Sequence, residues 1–121
     1  MLTRRNFVGL LGAAPLAAQG RGAKFRVYIG TYTRGESKGI YSFVLDTASG
    51  TLTSEGLAGE VENPSFLAIH PSGNYLYACG ELSKFKDQAS GALTAFKIDA
   101  ASGKLERLND AIAGGTSTCH V

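Results

Sequence analysis

From Phe25 onward the chain alternates short apolar runs with clusters of Gly, Pro, Ser, Asn and Asp, the pattern of strands joined by tight turns. Phe25 to Gly30 predicts a first strand. Phe66-Leu67-Ala68-Ile69-His70 and Tyr75-Leu76-Tyr77-Ala78-Cys79 flank Pro71-Ser72-Gly73-Asn74, whose residues suit a hairpin turn. Ala92 to Ile98 and Lys104 to Leu108 flank Asp99-Ala100-Ala101-Ser102-Gly103, where the Asp can accept backbone N–H bonds and the Gly can take positive φ. The same hairpin is spelled twice. Phe43-Val44-Leu45-Asp46-Thr47-Ala48-Ser49-Gly50-Thr51-Leu52 returns 53 positions later as Phe96-Lys97-Ile98-Asp99-Ala100-Ala101-Ser102-Gly103-Lys104-Leu105, keeping Phe, Asp, Ala, Ser, Gly and Leu.

A unit of about fifty residues that recurs marks a repeat architecture. Each unit holds four antiparallel strands, A to D, which is a propeller blade; a β-sandwich would not need one hairpin repeated at a fixed period. The expected fold is therefore all-β, a β-propeller of four-stranded antiparallel blades. Blade 1 covers about 25–58, blade 2 about 62–112, and 117–121 begin a third, so about two blades are expected. Phe25 to Gly30 aligns with a B strand, with Tyr28 against Tyr77, which leaves blade 1 without an inner A strand. Pro64-Ser65-Phe66-Leu67 has an echo in Thr118-Cys119-His120-Val121.

The first eighteen residues break this pattern. Arg4-Arg5-Asn6-Phe7-Val8 leads into an apolar run from Phe7 to Ala18 that contains two Gly and one Pro, and Gln19-Gly20-Arg21-Gly22 follows. A basic start, a short apolar run and small residues around Leu16-Ala17-Ala18 read as an export signal, and the paired arginines resemble a twin-arginine signal, handled by the twin-arginine translocation machinery. Twelve residues fall short of the roughly 20 that span a bilayer, so no stable membrane anchor is expected. Residues 1–18 are thus the expected signal, 19–24 a linker and 25–121 the partial propeller, exported to the periplasm or beyond.

Composition agrees with this picture and narrows it. Sixteen Gly among 121 residues, with 44% hydrophobic residues, fit a turn-rich β protein better than a helical bundle. The net charge of +2 falls to zero if cleavage near Ala18 removes Arg4 and Arg5, so a nucleic-acid partner is not expected. Cys79 and Cys119 lack CxxC spacing and sit in different repeats; they are expected as two buried or half-buried thiols rather than a disulfide. No phosphate loop, dinucleotide fingerprint, HExxH or calcium loop occurs, so neither cofactor nor metal is expected.

Tyr28-Ile29-Gly30-Thr31-Tyr32-Thr33, Gly39-Ile40-Tyr41-Ser42-Phe43, Asn63-Pro64-Ser65-Phe66-Leu67-Ala68-Ile69-His70-Pro71-Ser72-Gly73-Asn74-Tyr75-Leu76-Tyr77, Ser102-Gly103-Lys104-Leu105 and Cys119-His120-Val121 together resemble the start of the lactonase (6-phosphogluconolactonase-like) family of seven-bladed β-propellers. Cys79-Gly80-Glu81 departs from the family, which more usually has an apolar residue and Asn before the Glu. The resemblance implies hydrolysis of a sugar lactone, 6-phosphogluconolactone or a related aldonolactone, by a monomer that needs no cofactor. The phosphorylated lactone belongs to cytosolic chemistry, so an exported member implies a different or broader lactone. A non-catalytic binding or scaffold propeller of the cell envelope is the alternative, since fold does not dictate function. Seven blades of about fifty residues imply a ring near 350 residues, of which this chain would be the N-terminal third, inactive alone.

Strand alternation sorts the loops onto two ends. One end collects Tyr32, Thr33, Arg34, Asn63, Ser65, Glu81, Ser117, Thr118 and His120; the other gets the repeated turns. Turns need repeated residues, whereas a site needs polar residues the repeat does not require. His120 is the first catalytic candidate: it starts an inner strand, an imidazole moves protons near neutral pH, and its counterpart in the preceding repeat is Phe66. Glu81 is the second, as acid, base or hydroxyl-orienting group; a loop-capping carboxylate is the plainer reading. Arg34, Asn63, Ser65 and Ser117 are the substrate-binding candidates, Arg34 for a carboxylate or phosphate. His70, Asp46 and Asp99 are expected to serve turns.

Overall fold

The structure is a computed structural model that describes residues 22–121. The signal-like segment 1–18 and the first linker residues lie outside the described residues. Seven strands follow in order: β1 (Lys24–Gly30), β2 (Gly39–Asp46), β3 (Thr51–Glu60), β4 (Pro64–Ile69), β5 (Tyr75–Gly80), β6 (Ala92–Ile98) and β7 (Leu105–Ile112). They form two antiparallel meanders, a three-stranded sheet β1-β2-β3 and a four-stranded sheet β4-β5-β6-β7. The first sheet has the B, C and D strands of the repeat and no inner strand among the described residues; the second has all four.

The repeated hairpin folds the same way in both sheets. Asp46 Oδ1 accepts from the Ala48 and Ser49 amides at 2.9 and 3.3 Å, and Gly50, at φ 70°, donates its amide to the Asp46 carbonyl. Asp99 Oδ1 accepts from the Ser102 amide and hydroxyl, both at 2.7 Å, and Gly103, at φ 73°, closes onto the Asp99 carbonyl. His70 serves its turn: Nδ1 accepts from the Ser72 amide at 3.2 Å.

Two strands, β4 and β7, differ from the sequence expectation by more than one residue. β4 starts at Pro64 and stops at Ile69, because the His70 amide already turns back to the Tyr75 carbonyl. β7 runs four residues past Leu108, held to β6 as far as the Ala92–Ile112 pair. Its polar residues Asn109 and Asp110 hid it, since an outermost strand is mostly solvated and has no apolar face to keep.

The two sheets face each other across one core. Ile40 and Ala58 from the first, with Val61 just after it, meet Leu76, Ala78, Phe96 and Leu105 from the second, with Tyr28, Leu67 and Ile98 around them. Burying Phe96 alone stabilises by about 1.5–3 kcal/mol. At the turn end, Arg26 pairs with Glu55 at 3.1 Å and donates to the Ala100 and Ala101 carbonyls, while Tyr28 Oη donates to the Gly103 carbonyl at 2.9 Å. At the opposite end Gly30 lies tight against the Pro64 carbonyl.

These contacts bias the carboxylates. The Arg26 hydrogen bond holds Glu55 below its ordinary range, and the Ser102 amide does the same for Asp99. Burial raises Asp110, but hydrogen bonds from Thr94 and Arg107 outweigh it and leave the group lowered. A group depressed in the folded state stabilises fully above its unfolded pKa and loses that contribution as pH falls through the folded one. The denaturation midpoint is therefore expected to hold from neutral pH to about pH 5 and to fall below about pH 4. A midpoint unchanged down to about pH 2 would contradict these assignments.

Candidate active site at the loop end of the sheets

The chain enters β4 through a corner that fixes the site's backbone. Asn63 sits at φ 44°, a left-handed conformation that Asn tolerates better than most residues. Its Oδ1 accepts from the Thr33 amide at 2.9 Å and the Thr33 hydroxyl at 3.1 Å, and its own amide donates to Thr33 Oγ1 at 3.3 Å. The first sheet's β1–β2 loop is thereby tied to the start of the second sheet. Ser117, one repeat on, has φ 55° and donates its amide to the Leu82 carbonyl at 2.8 Å, so the same corner is built again. Asn63 and Ser117 thus shape backbone as well as present polar groups.

Glu81 follows β5, and its amide donates to the Asn63 carbonyl at 2.9 Å. Its carboxylate is met by Tyr32, whose phenol donates to Oε2 at 2.7 Å across the gap between the sheets. With Tyr28 set against Tyr77, Tyr32 and Glu81 occupy the same point of successive repeats, just beyond strand B. The first-repeat counterpart of the candidate acid is therefore its partner.

Four of the six predicted residues come together. Arg34, Asn63, Glu81 and Ser117, each from a different connection, line one open polar cavity of about 290 Å³, with Tyr32 and Lys84 also in its wall. A second hollow nearby is lined by Tyr32, Arg34 and Glu81. Two cations, Arg34 and Lys84, thus share the wall with a carboxylate, a phenol and a hydroxyl. That set can hold a polyhydroxylated anion and move a proton.

The other two lie elsewhere. Ser65 is exposed, at the irregularity where β4 slips its register against β5 between Pro64 and Phe66. His120 lines neither hollow; its ring packs on Phe66, centroids 4.4 Å apart and planes tilted by 42°. The repeat counterparts Phe66 and His120 are thus neighbours in space. Cys79 is buried, and burial pushes its thiol up, as for an inert core residue. Cys119 corrects the sequence expectation: it is exposed, because residues 117–121 pair with no strand among the described residues.

The sequence reading missed Tyr32 as the partner of Glu81, and Lys84. The signal for Tyr32 was available in the repeat offset that aligns Tyr28 with Tyr77. Lys84 carried none, since a lysine between Ser83 and Phe85 reads as a surface charge; it also pairs with Asp87 at 3.2 Å.

A family model described as "Lactonase, 7-bladed beta-propeller" matches residues 26–121. The chain belongs to this lactonase family. It is 40% identical over 98 residues to the 6-phosphogluconolactonase of Bacillus subtilis, a match over 81% of this chain and 27% of that protein. Among solved structures it resembles a candidate 6-phosphogluconolactonase from Bacteroides uniformis, with TM-score 0.73 and 33% identity over 81% of this chain and 27% of that one. It also resembles the periplasmic gluconolactonase of Pseudomonas aeruginosa, with TM-score 0.69 and 26% identity over 78% of this chain and 26% of that one. The chain spans about a quarter of the length of the curated relatives it matches. Membership in a family of seven-bladed propellers accounts for the two successive sheets.

Proposed function

We propose that the protein opens a sugar lactone, 6-phosphogluconolactone or a related aldonolactone, by hydrolysis at the cavity between Arg34, Glu81 and Ser117. The observation that carries this reading is the convergence of Arg34, Asn63, Glu81 and Ser117, from four separate connections, on one polar cavity. Family membership and relatives named for lactone hydrolysis support it.

In the reaction a water oxygen bonds to the lactone carbonyl carbon, the bond from that carbon to the ring oxygen breaks, and the water proton ends on the ring oxygen as a hydroxyl. Glu81 takes the proton from the attacking water, and Arg34 holds the substrate's anionic end or the nascent carboxylate. Hydroxyl and backbone donors at this end, Ser117 among them, stabilise the tetrahedral oxyanion. His120, stacked on Phe66 outside the cavity, is the second proton-transfer candidate. Export through a twin-arginine signal at Arg4-Arg5 belongs to the same reading, and the likeness to a periplasmic gluconolactonase supports it.

The test is the initial rate of lactone opening by protein purified from its complete reading frame, followed by proton release. Gluconolactone and its 6-phosphate are expected to open well above their spontaneous rates. Binding of aldonolactones without faster opening would favour the alternative, a non-catalytic binding propeller.

A further inference from the structure

The Tyr32–Glu81 pair spans two sheets, each residue lying just past the end of its strand. Tyr32 is 55% exposed, and Glu81 is half-buried in the cavity wall. A surface hydrogen bond of this kind adds little to stability, too little to account for an aromatic residue held over a carboxylate between loops. The backbone beside Tyr32 is fixed independently, because Thr33 is bound twice by the Asn63 carboxamide. Tyr32 therefore reaches Glu81 from an anchored base. With Oε2 taken by the phenol, Oε1 is the oxygen free to meet a ligand.

We propose that Tyr32 is a positioning residue for Glu81, its phenol holding one carboxylate oxygen so that the other faces the cavity. This rests on the lactone-opening reading, within which it adds a residue and a role. The hydrogen bond to Glu81, with that group's charge, raises the Tyr32 pKa; Arg34 opposes the shift and Cys119 adds to it.

The experiment has two readouts on the protein from its complete reading frame. The first is the tyrosinate titration followed at 295 nm, in which the difference between wild type and Tyr32→Phe isolates the Tyr32 component. That component is expected above the ordinary tyrosine range and is expected to move down in Glu81→Gln. A Tyr32 component that titrates identically with Glu or Gln at position 81 overturns the pairing. The second readout is steady-state lactone opening: Tyr32→Phe is expected to lower kcat about tenfold while KM stays within about twofold, since the phenol orients the base without binding substrate. Unchanged kcat in Tyr32→Phe overturns the positioning role even where the titrations are coupled. Coupled titrations in a wild type that opens no lactone support the pairing and overturn the functional reading, so the two failures are separable.

Discussion

Gly30→Ala is expected to destabilise the protein by about 3 kcal/mol, the upper part of the range for forcing an extra carbon into a packed contact. A Cβ at Gly30 would sit far inside van der Waals contact of the Pro64 carbonyl oxygen, which belongs to backbone and cannot rotate away. The side chain of β1 at this point faces the second sheet, as Arg26 and Tyr28 do on the same strand. Relief would require the sheets to part beside Asn63, where the site's corner is built. Gly50→Ala is the comparison: its Cβ meets open space, and only the φ of 70° resists, at a cost of about 1 kcal/mol. Chemical denaturation of both variants checks this. Equal midpoints would mean the sheets do not depend on close approach at Gly30.

Glu81→Gln is expected to lower kcat for lactone opening by about 10²- to 10⁴-fold, the span for loss of a positioned general base, with KM much less affected. Gln keeps the size and one acceptor for Tyr32 but cannot take the water proton at neutral pH. Asp46→Asn, at the turn end and remote from the cavity, is expected to keep wild-type kcat. Kinetics of Glu81→Gln beside His120→Ala decide between the two candidates. A larger loss in His120→Ala would move the base to the imidazole and contradict the assignment to Glu81.

What could be read in advance was what local chemistry dictates. Asp46 with Gly50 and Asp99 with Gly103 form their turns from residues within five positions, so the recurring string revealed both hairpins and through them the blade. The end at which polar residues gather was also legible, because strand alternation alone sorts loops. Longer-range facts were not. The contact of Tyr32 with Glu81 depends on how one sheet sits against the next. The placement of His120 on Phe66 rather than on the cavity depends on the path after Ser117. β7 past Leu108 lacked alternation because it lies outermost, and Cys119 reads as buried or half-buried because residues 117–121 read as the start of a strand like β4.

In the proposed function the loop-end cavity receives the sugar acid and Glu81 meets it there. The most direct measurement is a crystal structure of the protein from its complete reading frame with an aldonic acid, the reaction's product, bound at saturating concentration. The ligand is expected between Arg34 and Glu81, with Tyr32 still on Glu81 Oε2 and a ligand oxygen within hydrogen-bond distance of Oε1. Aldonate bound against His120 and away from Glu81, or bound at no site, would contradict it.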